Sequence, residues 1–195
     1  MTTTQHHTSD HPVIDSPRLQ LRPCAPAHLL AMYESSAEFQ RCFGTPAVDG
    51  LRKLFVSEEV SPDFLAQLQN SRSADPWVFG FLIVEHESRQ VIGAAGFKGP
   101  PNVDGLVEIA YAIAPEYEGR GYATEAAGAL VAFASNDPRV RMICAHTKQE
   151  NIGSARVLEK NAFTKRGEVI DPDDGPVWRW ERAPQPFPAA GITLP

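Results

Sequence analysis

Cysteine is scarce in this chain of 195 residues, and the few that occur are scattered. The three are Cys24, Cys42 and Cys144, and no two of them form a C-x-x-C pair. An odd number of scattered cysteines does not build a disulfide framework, and without a cysteine pair the sequence has no structural zinc motif. We therefore expect free, reduced thiols, no bound metal and a cytoplasmic location.

The sequence also lacks long apolar runs and an excess of positive charge. No apolar run approaches the roughly 20 residues that a membrane-spanning helix needs, and residues 1–10 lack the apolar core of a secretory signal. The formal net charge is −6, with 18 Lys and Arg against 24 Asp and Glu. Nucleic-acid binding needs clustered basic side chains that neutralise phosphates. We therefore expect neither a membrane nor a nucleic acid as the main partner.

The length predicts one domain with a core large enough to need no covalent staple. We interpret residues 1–15 as a disordered N-terminal tail, 16–182 as the folded domain and 183–195 as a proline-rich C-terminal tail. His6, His7 and His11 have no cluster of Asp, Glu or Cys beside them, which favours a mobile tail over a metal site.

The hydrophobic pattern of the folded part predicts strand, helix, helix, three strands, helix, strand, helix and two strands. The first strand is predicted at residues 18–23, and the first two helices at residues 27–38 and 57–71. Residues 77–85 and 91–98 are predicted as the strands of a hairpin. A single mixed, mostly antiparallel sheet of about seven strands flanked by about four helices accommodates this order, which is an α/β (α+β) fold.

Residues 107–126 combine a strand, a glycine-rich turn and the start of a helix. Alternating apolar residues predict the strand, which Pro115 ends because proline cannot extend the hydrogen-bond ladder. Gly119 and Gly121 then allow backbone N–H groups to converge ahead of a helix, where a phosphate or pyrophosphate binds well. On its own, this pattern is equally typical of an ordinary connection between a strand and a helix. The helix is predicted from an apolar stripe made of Ala123, Ala126, Ala127, Leu130, Phe133 and Ala134.

Two segments resemble the signature motifs of a known family. E-G-R-G-Y-A at residues 118–123 resembles the Q/R-x-x-G-x-G/A pyrophosphate loop of the GNAT superfamily of acyl-CoA-dependent N-acyltransferases. N-I-G-S-A-R-V-L-E-K-N-A-F at residues 151–163 resembles the N-x-x-S-x-x-x-L-E-K-x-G-F segment of the RimJ/RimL-like branch, and residues 16–22 are similar to the first strand of that branch. The resemblance extends over residues 16–182 and implies a GNAT fold and N-acetyltransferase activity.

Some positions depart from the family pattern. Glu118 stands where the family usually has Gln or Arg, which brings a carboxylate near the implied pyrophosphate. Asn161 and Ala162 replace an apolar residue and a glycine, a change in packing that we expect the fold to tolerate. Leu158 stands where many relatives carry a tyrosine that acts as general acid toward the departing thiolate, although leucine is common in the RimJ/RimL-like branch. The general acid is therefore not identified.

The resemblance implies that acetyl-CoA is the acyl donor. Backbone amides of the glycine-rich loop and of the helix start would bind the pyrophosphate, and strand backbone would pair with pantetheine where two neighbouring parallel strands separate. Asn151 would contact pantetheine or cap its helix. The loop residues are Gly119, Arg120, Gly121, Tyr122, Ala123 and Thr124, and the strand residues are Ala112, Ile113 and Ala114.

Glu108 is the candidate general base, because it lies in an apolar strand where several GNAT relatives place a carboxylate that removes the ammonium proton. The alternative is a strand glutamate that faces solvent or forms a salt bridge. Ser154 is a candidate for orienting the thioester or thiolate, against an ordinary serine in a first helical turn. Cys144 would permit an acyl-cysteine route, but no activating base lies near it in the sequence, so we interpret it as an inert buried thiol. Tyr111 fits a sheet face and is assigned no acid role.

The resemblance places acceptor specificity in residues 42–56 and in the hairpin turn at residues 171–176. That acidic turn is suited to attracting a cationic amine, although Asp, Pro and Gly are also the ordinary residues of a solvated turn. The expected acceptor is a primary amine of a protein N-terminus or of a small molecule such as a polyamine or an aminoglycoside. A homodimer is an open alternative for assembly.

Two further functions are compared with the transferase. A catalytically silent acyl-CoA-binding module stays open, because the family's tyrosine is missing and Glu118 is altered. A P-loop or Rossmann nucleotide enzyme is excluded, because no Gly-Lys-Ser/Thr follows the turn and no complete G-x-G-x-x-G is present.

Overall fold

A computed structural model describes residues 12–55, 66, 68–71, 74–172 and 174–185. Residues 1–11 and 186–195, which belong to the predicted tails, lie outside these described residues. Most of the helix predicted at residues 57–71 and Asp173 of the predicted acidic turn lie outside them as well.

One mixed sheet forms the centre of the described structure. Its strands are β1 (Ile14–Asp15), β2 (Leu19–Pro23), β3 (Phe81–Glu85), β4 (Val91–Phe97), β5 (Leu106–Ile113), β6 (Met142–Lys148), β7 (Thr164–Asp171) and β8 (Gly175–Arg182). The eight described strands lie in the order β1-β2-β3-β4-β5-β6-β8-β7. All neighbouring strands are antiparallel except β5 and β6, which are parallel. The predicted mixed, mostly antiparallel sheet is confirmed, with slightly more strands than expected.

Helices connect these strands. Those with both ends in the described residues are α1 (Pro26–Glu34), α2 (Ser36–Phe43), α3 (Asp49–Phe55), α4 (Pro76–Phe79), α5 (Tyr122–Ser135) and α6 (Ile152–Lys160), and a 3₁₀ turn covers Pro115–Tyr117. Residues 68–70 are also helical, within the helix predicted at residues 57–71.

The first predicted helix is wrong in extent. Two helices replace it, because Ser35 is extended with φ −168° and ψ 162°, and its Oγ accepts a hydrogen bond from the Glu38 N–H at 3.1 Å. Serine competes with the helical backbone in this way, so it starts a new helix rather than continuing the old one. Ile14–Asp15, which the prediction assigned to the N-terminal tail, forms β1 and pairs with β2.

The strand predicted at residues 77–85 is also wrong at its beginning. Residues 77–79 belong to α4, because the Asp75 side chain accepts a hydrogen bond from the Trp77 N–H at 2.9 Å and Pro76 fits a first helical turn. Gly80, with φ +64°, ends the helix, and β3 begins after it. The apolar run therefore contains a short helix and a strand.

Helix α5 packs against the sheet through small side chains. Ala126, Ala127, Leu130 and Ala134 of the predicted stripe are fully buried, while Ala123 and Phe133 are partly buried against the same core. Alanine adds little bulk, so the helix lies close to the sheet. This packing fixes the N-terminus of α5 near the end of β5.

Strands β5 and β6 separate partway along their length. They pair only over residues 106–108 of β5 and 142–144 of β6. Beyond this point β5 stays paired with β4, and β6 with β8. Along residues 109–113, one backbone edge of β5 therefore faces a gap, with no strand partner among the described residues.

The burial of Leu130 in the core predicts that truncating its side chain destabilises the protein. Leu130→Ala should lower the free energy of unfolding by about 2–5 kcal/mol, the usual cost of truncating a buried leucine. Val103 is 99 % exposed, so Val103→Ala is the matched control and should change stability by less than about 0.5 kcal/mol. Urea denaturation measures both variants, and equal losses would contradict the assigned core.

Candidate active site

The turn before α5 carries backbone donors without protein acceptors. Gly119 and Gly121 have φ of +73° and +82°, a left-handed conformation that side chains disfavour, and Gly121 is the N-cap of α5 without a side-chain cap. Within the described part of the chain, the N–H groups of residues 119–124 have no protein acceptor. Together with the positive end of the helix dipole, such N–H groups form an anion site.

The space in front of this turn is open. A Cβ built on Gly119 would meet no described atom within 4 Å, and one built on Gly121 would meet only Arg18 Nη2, at 3.4 Å. The backbone conformation, and not crowding, therefore requires glycine at both positions. Glu118 is exposed and borders the same space.

The hydrogen bonds to β4 identify which groups of β5 face the gap. The Lys98 N–H donates to the Glu108 carbonyl at 2.9 Å, and the Ala114 N–H donates to the Ile92 carbonyl at 2.8 Å. Even-numbered residues of β5 therefore bond to β4. Because the backbone groups of alternate residues point to opposite sides of a strand, the groups that face the gap belong to Ile109, Tyr111 and Ile113.

A groove of about 480 Å³ lies between the turn, α6 and the free edge of β5. Ser154 lines it, but Ala114 and Arg120 do not. Ala114 is fully buried, and the Arg120 guanidinium stacks 5.0 Å from the centre of the Tyr117 ring. The predicted donor-binding residues that line the groove are Ala112, Ile113, Gly119, Gly121, Tyr122, Ala123, Thr124 and Asn151.

A second pocket, of about 240 Å³, adjoins the groove and is polar. Tyr111, Asn151 and Ser154 line both cavities, so these three residues form the junction where the two cavities adjoin. The junction lies beside the gap between β5 and β6. Besides Tyr111, the charged and titratable residues of the polar pocket are Lys98, Glu108, His146, Lys148 and Asp174.

Glu108 lies in the polar pocket between two nitrogen atoms. Its side chain is 19 % exposed, and its Oε1 is 2.8 Å from Lys98 Nζ and 3.0 Å from His146 Nδ1. The histidine contact is not aligned as a hydrogen bond, so the buried Nδ1 has no hydrogen-bond partner in the described residues. Glu108 is thus both a pocket residue and a salt-bridge partner.

Lys98 is held as a cation. Burial alone would lower its pKa, but the hydrogen bond and charge of Glu108, with the charges of Asp171 and Asp174, raise the pKa above its ordinary value. Lys98 Nζ lies 3.8 Å from Asp171 Oδ2. Carboxylates of the predicted acidic turn therefore lie beside the pocket.

The chain can be placed in a family by comparison with known sequences. The family model described as an acetyltransferase (GNAT) domain matches residues 18–164. The chain belongs to this family. It is a GNAT-type acyltransferase, as the motif resemblance predicted.

Relatives and solved structures agree with this GNAT assignment. YjdG of Bacillus subtilis (strain 168), an uncharacterized N-acetyltransferase, is 28% identical over 131 residues, which are 67% of this chain and 70% of the relative. RimL, a ribosomal L7/L12 alpha-N-protein acetyltransferase solved with coenzyme A, has a TM-score of 0.62 and 16% identity, covering 90% of this chain and 99% of that chain. The aminoglycoside acetyltransferase AAC(6')-Ib, also solved with coenzyme A, has a TM-score of 0.57 and 25% identity. The match covers 87% of this chain and 96% of that chain. At 16% identity, the RimL likeness shows a shared fold.

In this GNAT domain, the residues at the junction are fixed by hydrogen bonds. Asn151 Oδ1 accepts from the Ser154 N–H at 2.9 Å and so caps α6. The Tyr111 hydroxyl donates to the Ser154 carbonyl at 3.4 Å, and burial raises the pKa of Tyr111 to about 12. Leu158, at the place of the family's tyrosine, is fully buried and lines the polar pocket.

Cys144 of β6 is a buried free thiol. Burial raises the pKa of the Cys144 thiol to about 11, so its reactive thiolate is scarce at neutral pH. No group of His, Cys, Asp and Glu that could hold a metal ion is found in the described part of the chain. Among the described helices, none is both long and apolar enough to cross a membrane.

Lys98 and His146 were not found by sequence reasoning. Only the register between neighbouring strands could have indicated that both residues lie beside Glu108. Phe97 pairs with Ile109 across the β4–β5 hairpin, which brings the next residue, Lys98, opposite Glu108. Glu108 pairs with Cys144 of β6, two positions before His146.

The ion pair predicts a measurable change at Lys98. Glu108→Gln should lower the pKa of Lys98, because the hydrogen bond and charge of Glu108 are the largest of the contributions that raise it. Asp174→Asn is the matched control and should lower this pKa less, since Asp174 contributes less than Glu108. NMR titration of the lysine side chains measures both. A Lys98 pKa unaffected by Glu108→Gln would contradict the pair.

Proposed function

We propose that this GNAT enzyme transfers an acetyl group from acetyl-CoA to a primary amine by direct attack in a ternary complex. The supporting observation is that the groove and the polar pocket adjoin and share Tyr111, Asn151 and Ser154 in their linings. The groove is bordered by the unpaired amides before α5, and the polar pocket contains a carboxylate. A donor in the first cavity and an acceptor in the second would meet at the junction.

The groove suits acetyl-CoA in charge and in hydrogen bonding. The N–H groups of residues 119–124 would bind the diphosphate. The backbone of Tyr111 and Ile113 would pair with the pantetheine amides, because these residues face the gap while Ala112 and Ala114 bond to β4. One N–H of this edge would polarise the acyl carbonyl. Bound there, the donor supplies an acyl group activated as a thioester, and the coenzyme A in RimL and AAC(6')-Ib supports this assignment.

Glu108 is proposed as the general base. A primary amine is mostly protonated at neutral pH, and the proton must leave before the nitrogen attacks. The carboxylate lies in the polar pocket, and the Lys98 ammonium beside it keeps its own proton because its pKa is raised. His146 Nδ1 lies 3.0 Å from the same oxygen and has no hydrogen bond in the described residues.

The departing thiolate requires a partner at the junction. Tyr111 lines both cavities, but a pKa of about 12 makes its hydroxyl a weak acid toward a thiolate. The hydroxyl is better suited to donating a hydrogen bond than a proton. Ser154 is proposed to orient the thioester or thiolate, because it lies at the junction.

The acceptor is proposed to be a primary amine of a protein N-terminus or of a small molecule. RimL is described as an alpha-N-protein acetyltransferase and AAC(6')-Ib as an aminoglycoside acetyltransferase. The polar pocket here carries both signs of charge, with Glu108 and Asp174 beside Lys98 and Lys148. Each of these carboxylates pairs with one of the lysines, at 2.8 Å and 3.1 Å, so a cationic group on the acceptor would compete with the lysines for them.

A catalytically silent acyl-CoA-binding module is the second candidate. Leu158 favours it, because a fully buried leucine offers no hydroxyl where many relatives carry the tyrosine acid. Both candidates bind the donor in the same groove. They differ in whether an amine triggers release of the thiol.

Thiol release from acetyl-CoA, measured across polyamines, aminoglycosides and peptides with free N-termini, tests the transferase. We expect release that depends on at least one amine, with donor binding confirmed by calorimetry. Binding without amine-dependent release across the panel would favour the silent module instead.

Glu108→Gln then tests the base. With an active amine, kcat at neutral pH should fall by about 10²–10⁴-fold, the range for a lost general base, while acetyl-CoA affinity stays the same. Glu159→Gln, an exposed change on α6, is the control and should leave both unchanged. If Glu108→Gln keeps the rate and pH profile of the unaltered enzyme, Glu108 is not the base.

Gly121→Val tests the anion site. Valine at φ +82° is strained and displaces the turn, so acetyl-CoA binding should be lost. Gly44→Val is the matched control, because Gly44 has φ +79° in the C-cap of α2 and carries comparable strain away from the groove. Calorimetry should find normal acetyl-CoA affinity for the control, and normal affinity for Gly121→Val would refute the anion site.

A further inference from the structure

Arg18, just before β2, connects the N-terminal part of the chain to the start of α5. Its backbone N–H and its Nε each donate to the Glu125 carboxylate at 2.8 Å. Its Nη1 donates to the Arg120 carbonyl at 2.9 Å, and its guanidinium lies 4.6 Å from the centre of the Tyr122 ring. One side chain therefore contacts both the glycine-rich turn and the first turn of the helix.

The Nη2 group of Arg18 takes part in none of these hydrogen bonds. It has no protein acceptor among the described residues, and the side chain is 45 % exposed. A Cβ on Gly121 would lie 3.4 Å from Nη2, so this donor lies beside the N-cap residue of α5. A fixed guanidinium beside a row of N–H groups extends the anion site with a formal positive charge.

Glu125 explains why a cation is needed there. Burial would raise its pKa, but hydrogen bonds from the Arg18 backbone, Ser16 and the Arg18 side chain lower the pKa below its ordinary value. The carboxylate, 14 % exposed, is therefore ionised in the first turn of α5. Without Arg18, this negative charge would repel an anion bound at the same helix start.

We propose that Arg18 completes the diphosphate site of this enzyme. Its Nη2 donates to the diphosphate, its Nη1 fixes the turn through the Arg120 carbonyl, and its Nε neutralises Glu125. This inference rests on the proposed function, because it requires acetyl-CoA in the groove.

Calorimetry with coenzyme A and with dephospho-CoA, which keeps the diphosphate but lacks the 3′-phosphate, tests the assignment. Arg18→Met should raise Kd about 10-fold to 100-fold for both ligands, the usual effect of losing a charge-assisted hydrogen bond. Arg18→Lys should lie between this variant and the unaltered protein, because lysine keeps the charge but not the planar fork. Arg18→Met with Glu125→Gln should recover part of the affinity, because the unpaired carboxylate is gone.

Arg139→Met is the matched control. Arg139 also binds a carboxylate, that of Asp137, and lies 6.0 Å from the centre of the Trp77 ring, away from the groove. Its loss should leave both Kd values unchanged. Thermal melting of every variant separates lost stability from lost affinity.

Several results would overturn the proposal. Unchanged Kd values in Arg18→Met and Arg18→Lys, with lower melting temperatures, would make Arg18 a structural staple only. An effect on coenzyme A but not on dephospho-CoA would place Arg18 at the 3′-phosphate. Failure of the unaltered protein to bind either ligand would refute the proposed function as well. The measurement on the unaltered protein therefore distinguishes this outcome from failure of the Arg18 proposal alone.

Discussion

The separation of β5 from β6 is the constraint on which the rest of the site depends. Backbone N–H and C=O groups need hydrogen-bond partners, yet after Glu108 the edge of β5 that faces β6 has no strand partner in the described structure. A ligand with amide groups can satisfy such an edge as an added strand does. The same separation makes room for the polar pocket, so one interruption in strand pairing creates both halves of the site and the junction between them.

The electrostatics of the groove differ from those of the whole chain. A net charge of −6 argues against binding of a long polyanion such as nucleic acid, but it does not decide what a small site can hold. At the start of α5 the positive contribution comes from unpaired amides and the helix dipole, which a count of charged residues does not include. Glu125 would cancel part of that field, but the Arg18 guanidinium neutralises its carboxylate through Nε, 2.8 Å away.

Features that depend on local sequence could be predicted, and features that depend on register or long-range contact could not. The two glycines at residues 119 and 121 indicated the turn, and alternating apolar residues indicated the strands at residues 18–23 and 107–113. The apolar run at residues 77–79 was misassigned because a cap from Asp75 outweighs its strand-like composition. Lys98 and His146 reach Glu108 only through strand register, which a pattern along one segment does not contain. Arg18 lies 107 residues from Glu125, so no local signal connects them.

Lys98 is itself a primary amine, 2.8 Å from the proposed base, and it must not be the one that reacts. An amine attacks only after losing its proton, and the carboxylates around Lys98 raise its pKa and keep it protonated. The charges responsible come from β5, from the end of β7 and from the turn between β7 and β8, so they are in place before any acceptor binds. An acceptor amine has to compete with Lys98 for contact with Glu108. It must then release its own proton to the carboxylate, whereas Lys98 stays protonated. Under the proposed function, Lys98 therefore differs from a substrate amine both in its position and in how strongly it holds its proton.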